Sequence, residues 1–212
     1  MTKLENLIII GAGGRGREFL ECVKEVNKVS PTYKVMGFLS DYDDVLDGFE
    51  CDYKIIGPIK NWQPTKNEKY LLAIDNPSAR EKLAKEFMDK GADFITLISP
   101  RATIQSHTTI GYGSVVIGNS VVLNNTKMGK FCIIAGSIVG DSATLGDYCN
   151  TSGFTNVTNV TLGDRVYVGS HAVILNKRKI GNDALIYAGS IVFTNVKANT
   201  KVMGNPAVKV DF

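Results

Sequence analysis

Ile110-Gly111-Tyr112-Gly113-Ser114-Val115-Val116-Ile117-Gly118-Asn119-Ser120-Val121-Val122 is the stretch that decides the architecture. Its aliphatic residues Ile110, Val116 and Val122 recur every six positions, and the same step reaches back to Ile104 and on to Met128 and Ile134. After one five-residue step the series resumes as Val139, Leu145, Thr151 and Val157. After a second it continues as Leu162, Val168, Ile174, Ile180, Ile186 and Val192. A period of six is neither that of a helix nor that of a long alternating strand. It is the mark of a parallel β-helix, in which each hexad makes one short strand and one corner, with the aliphatic side chain turned inward. Many of these residues are followed by glycine, as in Met128-Gly129, Leu145-Gly146 and Leu162-Gly163, small residues that permit the corner.

The residues before this array have a different rhythm. Strand-like Leu7–Ile10 runs into Gly11-Ala12-Gly13-Gly14-Arg15-Gly16, after which Phe19, Leu20, Val23 and Val26 fall at helical spacing up to about Asn27. Strand-like Val35–Leu39 and Tyr70–Ile74 follow, then a helix from about Pro77 to Lys90 ending near Gly91, and strand-like Phe94–Ile98. That alternation predicts a modest doubly wound parallel sheet, a Rossmann-like α/β domain over 1–99. Ser99-Pro100 marks the boundary, because a residue before proline is pushed out of helical geometry. The hexad domain then takes 100–212.

Composition sets bounds on function. The 212 residues are 44% hydrophobic and 21% charged, ordinary for a globular protein. No run of about 18 apolar residues occurs, and Leu7–Ile10 is too short for a signal-peptide core, so a soluble cytoplasmic protein without membrane insertion is expected. Cys22, Cys51, Cys132 and Cys149 have no close metal spacing and read as reduced thiols. Net charge is +3, with no Lys/Arg run interleaved with aromatics, which argues against a nucleic-acid partner. The charge is uneven: residues 1–100 carry −2 and residues 101–212 carry +5, and a basic second half suits a polyanionic small molecule.

The glycine loop continuing as Arg17-Glu18, Gly37-Phe38-Leu39-Ser40-Asp41 after the second strand, the hexads, and the closing Val202-Met203-Gly204-Asn205-Pro206-Ala207 together resemble the NeuD/PglD-like sugar O- and N-acyltransferases. The resemblance spans nearly the whole chain. It implies a left-handed hand for the β-helix, a homotrimer, acetyl-CoA as co-substrate in the cleft between neighbouring copies, and a nucleotide sugar held by the amino-terminal domain. CoA contacts are expected at Ala188, Gly189, Lys201 and Asn205, with Lys201 offering its charge to the CoA phosphates and ordinary solvation the competing reading for that lysine.

Gly11, Gly13 and Gly16 satisfy GxGxxG directly after a strand and at a helix start, where glycines admit a pyrophosphate to the free N–H groups of the helix. Gly14 lies in the same loop. Arg15 stands where many members of the family have histidine, and its guanidinium is expected to clamp phosphate. Asp41, ending the second strand, is expected to contact the nucleoside; an NAD-dependent oxidoreductase is the competing reading of this domain, disfavoured because it gives the second half no task.

Acetyl transfer needs a group to take the proton of the attacking amine or hydroxyl, and the family supplies His followed by an acidic residue. On the matching segment this chain has Asp141 and Ser142, while a second family histidine falls on Asn150. Asp141 is therefore expected as a weak base or orienting group; His171, at a corner where the family lines the CoA channel, is expected in a structural or CoA-contact role, with base across a copy interface as the alternative. His107 reads as a surface residue, and a zinc site lacks the three histidines it would need. An amine can attack in its neutral form without help, so N-acetylation of a nucleotide-linked amino sugar is expected over O-acetylation. The alternative is a catalytically degenerate scaffold or regulator that binds nucleotide sugars.

Overall fold

The computed structural model describes residues 4–211. Backbone contacts divide the chain into two compact units, residues 1–100 and 101–212.

The first unit is a five-stranded parallel sheet in the order β3-β2-β1-β4-β5, made of β1 (Glu5–Ile10), β2 (Tyr33–Leu39), β3 (Ile55–Gly57), β4 (Glu68–Leu72) and β5 (Asp93–Phe94). Between β1 and β2 runs α1 (Gly14–Val29), and between β4 and β5 runs α2 (Pro77–Asp89). Leu7, Ile8, Ile9 and Ile10 are all buried, as a central strand covered on both faces requires. Helix α1 buries Phe19, Leu20, Cys22 and Val23. Helix α2 starts at Asn76, whose Oδ1 accepts the Ala79 N–H at 2.9 Å, with Pro77 in the first turn. Chain order reverses at β1, with β2 on one side and β4 on the other. The carboxyl ends of these three strands therefore frame the crevice where open α/β sheets take their ligands. Strand β3 was not anticipated from the sequence; it is three residues long and carries no periodicity.

The fully buried Tyr70 shows how tightly this unit is built. Its hydroxyl donates to Glu68 and accepts Trp62 Nε1–H at 3.1 Å. Burial, then the bond to Glu68, pushes its pKa well above the ordinary tyrosine range, so the hydroxyl keeps its proton.

The second unit is a parallel β-solenoid with three faces. One has six strands (103–104, 121–122, 138–139, 156–157, 173–174, 191–192) and one has five (109–110, 127–128, 144–145, 161–162, 179–180). On the third, 115–117, 133–135, 150–151, 167–168, 185–186 and 201–204 follow in order, and 207–209 turns back antiparallel. The hexad residues make the interior: Val116, Val122, Ile134, Val139, Val157, Val168 and Ile186 have no exposure at all. Thr151 is the polar exception, 1% exposed with no hydrogen-bond partner for Oγ1.

The corners differ from the expectation that glycine is there to permit the turn. Glycines just after the inward residue are needed because the next coil is too close. A Cβ on Gly111 would lie 2.3 Å from Gly129 C, and one on Gly169 would lie 2.6 Å from Ala188 N. The left-handed turn itself comes two positions later, at His107, Asn125, Phe131, Ser142, Tyr148, Phe154, Arg165, His171, Lys177 and Asp183, with φ between 53° and 63°. Within each five-residue step the left-handed residue, Gly136 or Asn159, comes one position sooner, and strand pairing continues unbroken from Val121 through Ile138 to Asn156.

Candidate functional site

The glycine loop separates into two roles. Gly11 has φ +101° and a Cβ there would lie 2.8 Å from Ala73 O; a Cβ on Gly16 would lie 2.0 Å from Gly11 O. These two glycines let β1, β4 and α1 pack. Around Gly13 and Gly14 a Cβ would meet nothing within 4 Å. Gly13 caps α1 without a side-chain bond, and the first turn carries no acidic residue to offset the partial positive charge of its amides.

Arg15 sits in this first turn, but its guanidinium already has partners. Nε and Nη2 donate to Asp75 Oδ1 at 3.1 and 2.8 Å, and Nη1 donates to Glu18. Asp75 ends the β4 strand region, and the buried Arg80 holds that turn by donating from Nη1 to the carbonyls of Ile74 and Asp75 at 2.7 and 3.0 Å. Asp75 went unnoticed in the sequence, although a carboxylate just past a third parallel strand is placed for such a role.

Asp41 is also engaged: its Oδ1 accepts the Lys60 N–H at 2.9 Å, bracing the 59–60 turn. Neighbouring Ser40 is buried and closes its own turn, accepting from Tyr42 N at 3.1 Å. Asp41 lines two cavities. One, about 810 Å³, lies between Asp43, Phe49, Cys51, Lys54 and Pro58; the other, about 340 Å³, lies against Ile59, Lys60, Ile74, Lys82 and Leu83. The glycine loop, Arg15 and Asp41 thus share the carboxyl edge of one sheet.

In the solenoid the predicted residues fall into two groups. Asp141 is exposed at the corner following the six-stranded face; Ser142 Oγ donates to its Oδ2 at 2.8 Å, and its carbonyl accepts from Asn159 N at 2.9 Å. His171 is exposed at the corner preceding that same face. One protomer therefore does not bring Asp141 and His171 together, since a strand of the face separates their corners. The corner of His171 is a continuous column: Phe154 N donates to Gly136 O, His171 N to Gly153 O and Gly189 N to Ser170 O, at 2.8, 3.0 and 2.8 Å. Ala188 belongs to this column. Gly204 N donates to Ser190 Oγ at 3.3 Å, which brings the turn carrying Asn205 beside it. Lys201 starts the same strand at its far end, paired with Leu185.

The sequence did not mark the groove beside this column. A cavity of about 690 Å³ is lined by Asn119, Gly136, Ile138, Phe154 and Asn156. Phe154 is 76% exposed and its ring stacks on His171, centroids 5.0 Å apart and planes 19° apart. The signal that would have found it is the phase of the hexad, which puts an aromatic side chain at a left-handed position.

With this geometry, the family models match in register with the two units: the PglD N-terminal domain over residues 6–87, and the GMPPB C-terminal domain over residues 89–184. The acetyltransferase domain of PglB from Neisseria gonorrhoeae FA1090 superposes with a TM-score of 0.87 at 24% identity, covering 97% of this chain and 100% of that one. The chain resembles the PglD-like sugar acetyltransferases. The gonococcal domain has also been solved in complex with acetyl coenzyme A.

Among PglD-like curated relatives, UDP-N-acetylbacillosamine N-acetyltransferase of Bacillus subtilis is 30% identical over 118 residues, 54% of this chain and 52% of the relative. GDP-perosamine N-acetyltransferase of Escherichia coli O157:H7 is 28% identical over 126 residues, 58% and 56% respectively. The chain spans about half the length of the curated relatives it matches. Among the described residues no helix is long and apolar enough to cross a membrane, and no cluster of three His, Cys, Asp or Glu side chains is set to hold a metal ion.

Proposed function

We propose that the protein is an acetyl-CoA-dependent N-acetyltransferase of a nucleotide-linked amino sugar, acting as a homotrimer in the cytoplasm during surface-glycan synthesis. One observation carries the reading: a glycine loop open at Gly13 and Gly14 shares a chain with a parallel solenoid whose six-stranded face turns Val121, Ile138, Val173 and Ile191 outward. The names of the relatives support an amino-sugar acceptor, and the gonococcal complex supports acetyl-CoA as donor.

The nucleotide diphosphate meets the amides of Gly13 and Gly14 at the start of α1, with Gly11 and Gly16 shaping the loop. Phosphate oxygens compete with Asp75 for the Arg15 N–H groups, and Asp41 meets the ribose from beside its turn. Acetyl-CoA follows the corner column past His171, Ala188 and Gly189 toward Lys201 and Asn205.

Asp141 and His171 lie on opposite flanks of the apolar face. When three identical prisms turn one face to a common axis, the flank after the face in one copy meets the flank before it in the next. The two residues then line one cleft, contributed by two copies. The amine nitrogen attacks the thioester carbon, the C–N bond forms as the C–S bond breaks, and the proton lost by nitrogen ends on the departing sulfur as free CoA thiol. An amine suits a site without the histidine–acid pair, because its neutral form is already nucleophilic.

The test is release of free thiol from acetyl-CoA with a panel of UDP- and GDP-linked amino sugars. Turnover dependent on one of them is expected. Tight binding of both ligands without thiol would instead mark a non-catalytic binder.

A further inference from the structure

Phe154 is difficult to explain by packing. A large apolar side chain left 76% exposed contributes little to a core, and its φ of +61° is a conformation that bulky residues disfavour. At two other corners of its column the left-handed residue is glycine, Gly136 and Gly189, with nothing crowding their Cβ positions inside 3.8 Å, and at the corner between Phe154 and Gly189 it is His171. Burial and backbone preference both favour a small residue at 154. The Phe154 ring has two neighbours of note: the groove that it lines with Asn119, Gly136, Ile138 and Asn156, and the imidazole of His171 stacked on its face.

Stacking fixes the plane of an imidazole while leaving both ring nitrogens at its edge. No hydrogen bond to the His171 ring nitrogens occurs among the described residues, so Phe154 is what orients the ring. We infer that Phe154, which lines the groove, is a positioning residue that holds the stacked His171 beside it as the proton acceptor for the attacking amine. The inference rests on the acetyltransferase reading above and gives the site the base that position 141 lacks. The strand after His171 pairs with 156–157, which pairs with the strand before Asp141, so the residues stand two strand spacings apart along the solenoid. At about 4.8 Å per spacing, that is roughly 10 Å along the axis, too far for a direct pair and enough for an amine and a thioester between them. His171 takes the proton from nitrogen and returns it to the departing sulfur. Asp141 orients the amine from the other side.

The experiment is steady-state thiol release from acetyl-CoA, with whichever UDP- or GDP-linked amino sugar the wild type turns over. His171→Ala lowers kcat by about 10²–10⁴-fold, and added imidazole restores part of it. Phe154→Gly, which also relaxes the left-handed backbone and so leaves folding intact, lowers kcat about tenfold or more while both KM values stay within about threefold. Phe154→Tyr, which keeps the stack, retains most of the turnover. Wild-type kcat in Phe154→Gly, or His171→Ala that is slow and indifferent to imidazole, overturns the inference while the acetyltransferase reading stands. A wild type that releases no thiol overturns both.

Discussion

Two outward faces of the same solenoid, built from the same hexads, carry opposite chemistry. The six-stranded face presents Thr103, Val121, Ile138, Asn156, Val173 and Ile191; the five-stranded face presents Thr109, Lys127, Thr144, Thr161 and Lys179. Inward residues cannot explain this, since they are aliphatic on both. Ile138 is 43% exposed in the single chain, a poor place for isoleucine in water, whereas lysine and threonine are at home there. A surface that selects apolar residues at alternate positions is selecting for contact with protein, and the groove lined by Val121, Ile138, Asn156 and Phe154 lies at its edge.

The largest effect should come from breaking that face. Ile138→Lys should convert a mass of three copies to one by light scattering and lower turnover more than about 100-fold, since a buried unpaired charge costs several kcal/mol. Thr144→Lys on the other face should change neither. Equal effects of the two would end the comparison.

The amino-terminal unit provides the contrast. Arg15→Ala should weaken nucleotide-sugar binding by about 1.5–3 kcal/mol, the range for a charged hydrogen bond, with mass and CoA affinity unchanged by calorimetry.

Smaller changes sharpen the distinction between inside and outside. Thr151→Val keeps the shape and removes a buried hydroxyl without a partner, so it should raise stability in urea by about 1 kcal/mol. The same change at exposed Thr161 should be neutral to within about 0.5 kcal/mol.

Smallest is the corner pair Arg165–Asp183, with Nε and Nη2 donating to the two carboxylate oxygens at 2.7 and 2.8 Å. The bond from Arg165 holds the Asp183 carboxyl below its ordinary range. A depressed carboxyl stabilises the fold at pH above the unfolded value near 3.9 and loses that contribution as pH falls through the folded one. Asp183→Asn should therefore cost about 0.5–1 kcal/mol at neutral pH and less in acid, measured by urea midpoints at pH 7 and pH 3.

Much of the architecture was legible because its causes are periodic. Six-residue spacing gave the solenoid strands, with Thr151 in register despite its hydroxyl, and the glycine loop between Ile10 and Phe19 gave β1 and α1. Strand β3 was not legible, since three residues beside a turn carry no period. Site chemistry was legible only where it is local. The loop glycines are contiguous, but their division into packing residues, Gly11 and Gly16, and open ones, Gly13 and Gly14, depends on how closely Ala73 and the turn of α1 approach. Asp75 reaches Arg15 from sixty residues away, and the Phe154–His171 stack needs the pitch of the coil. The flanking of one face by Asp141 and His171 follows from which hexad begins which side, information that spacing alone leaves out.

The central claim is that the apolar face assembles a cleft shared between copies, and subunit complementation tests it most directly. Asp141→Asn and His171→Ala, each depressed in turnover alone, are co-expressed with different tags and the mixed trimers isolated. In every mixed trimer, whether two to one or one to two, one cleft in three receives an intact Asp141 from one copy and an intact His171 from the next, because heterologous interfaces join opposite flanks. Thiol release should then recover to about a third of the wild-type rate. Mixed trimers no more active than the two variants separately would contradict the shared cleft.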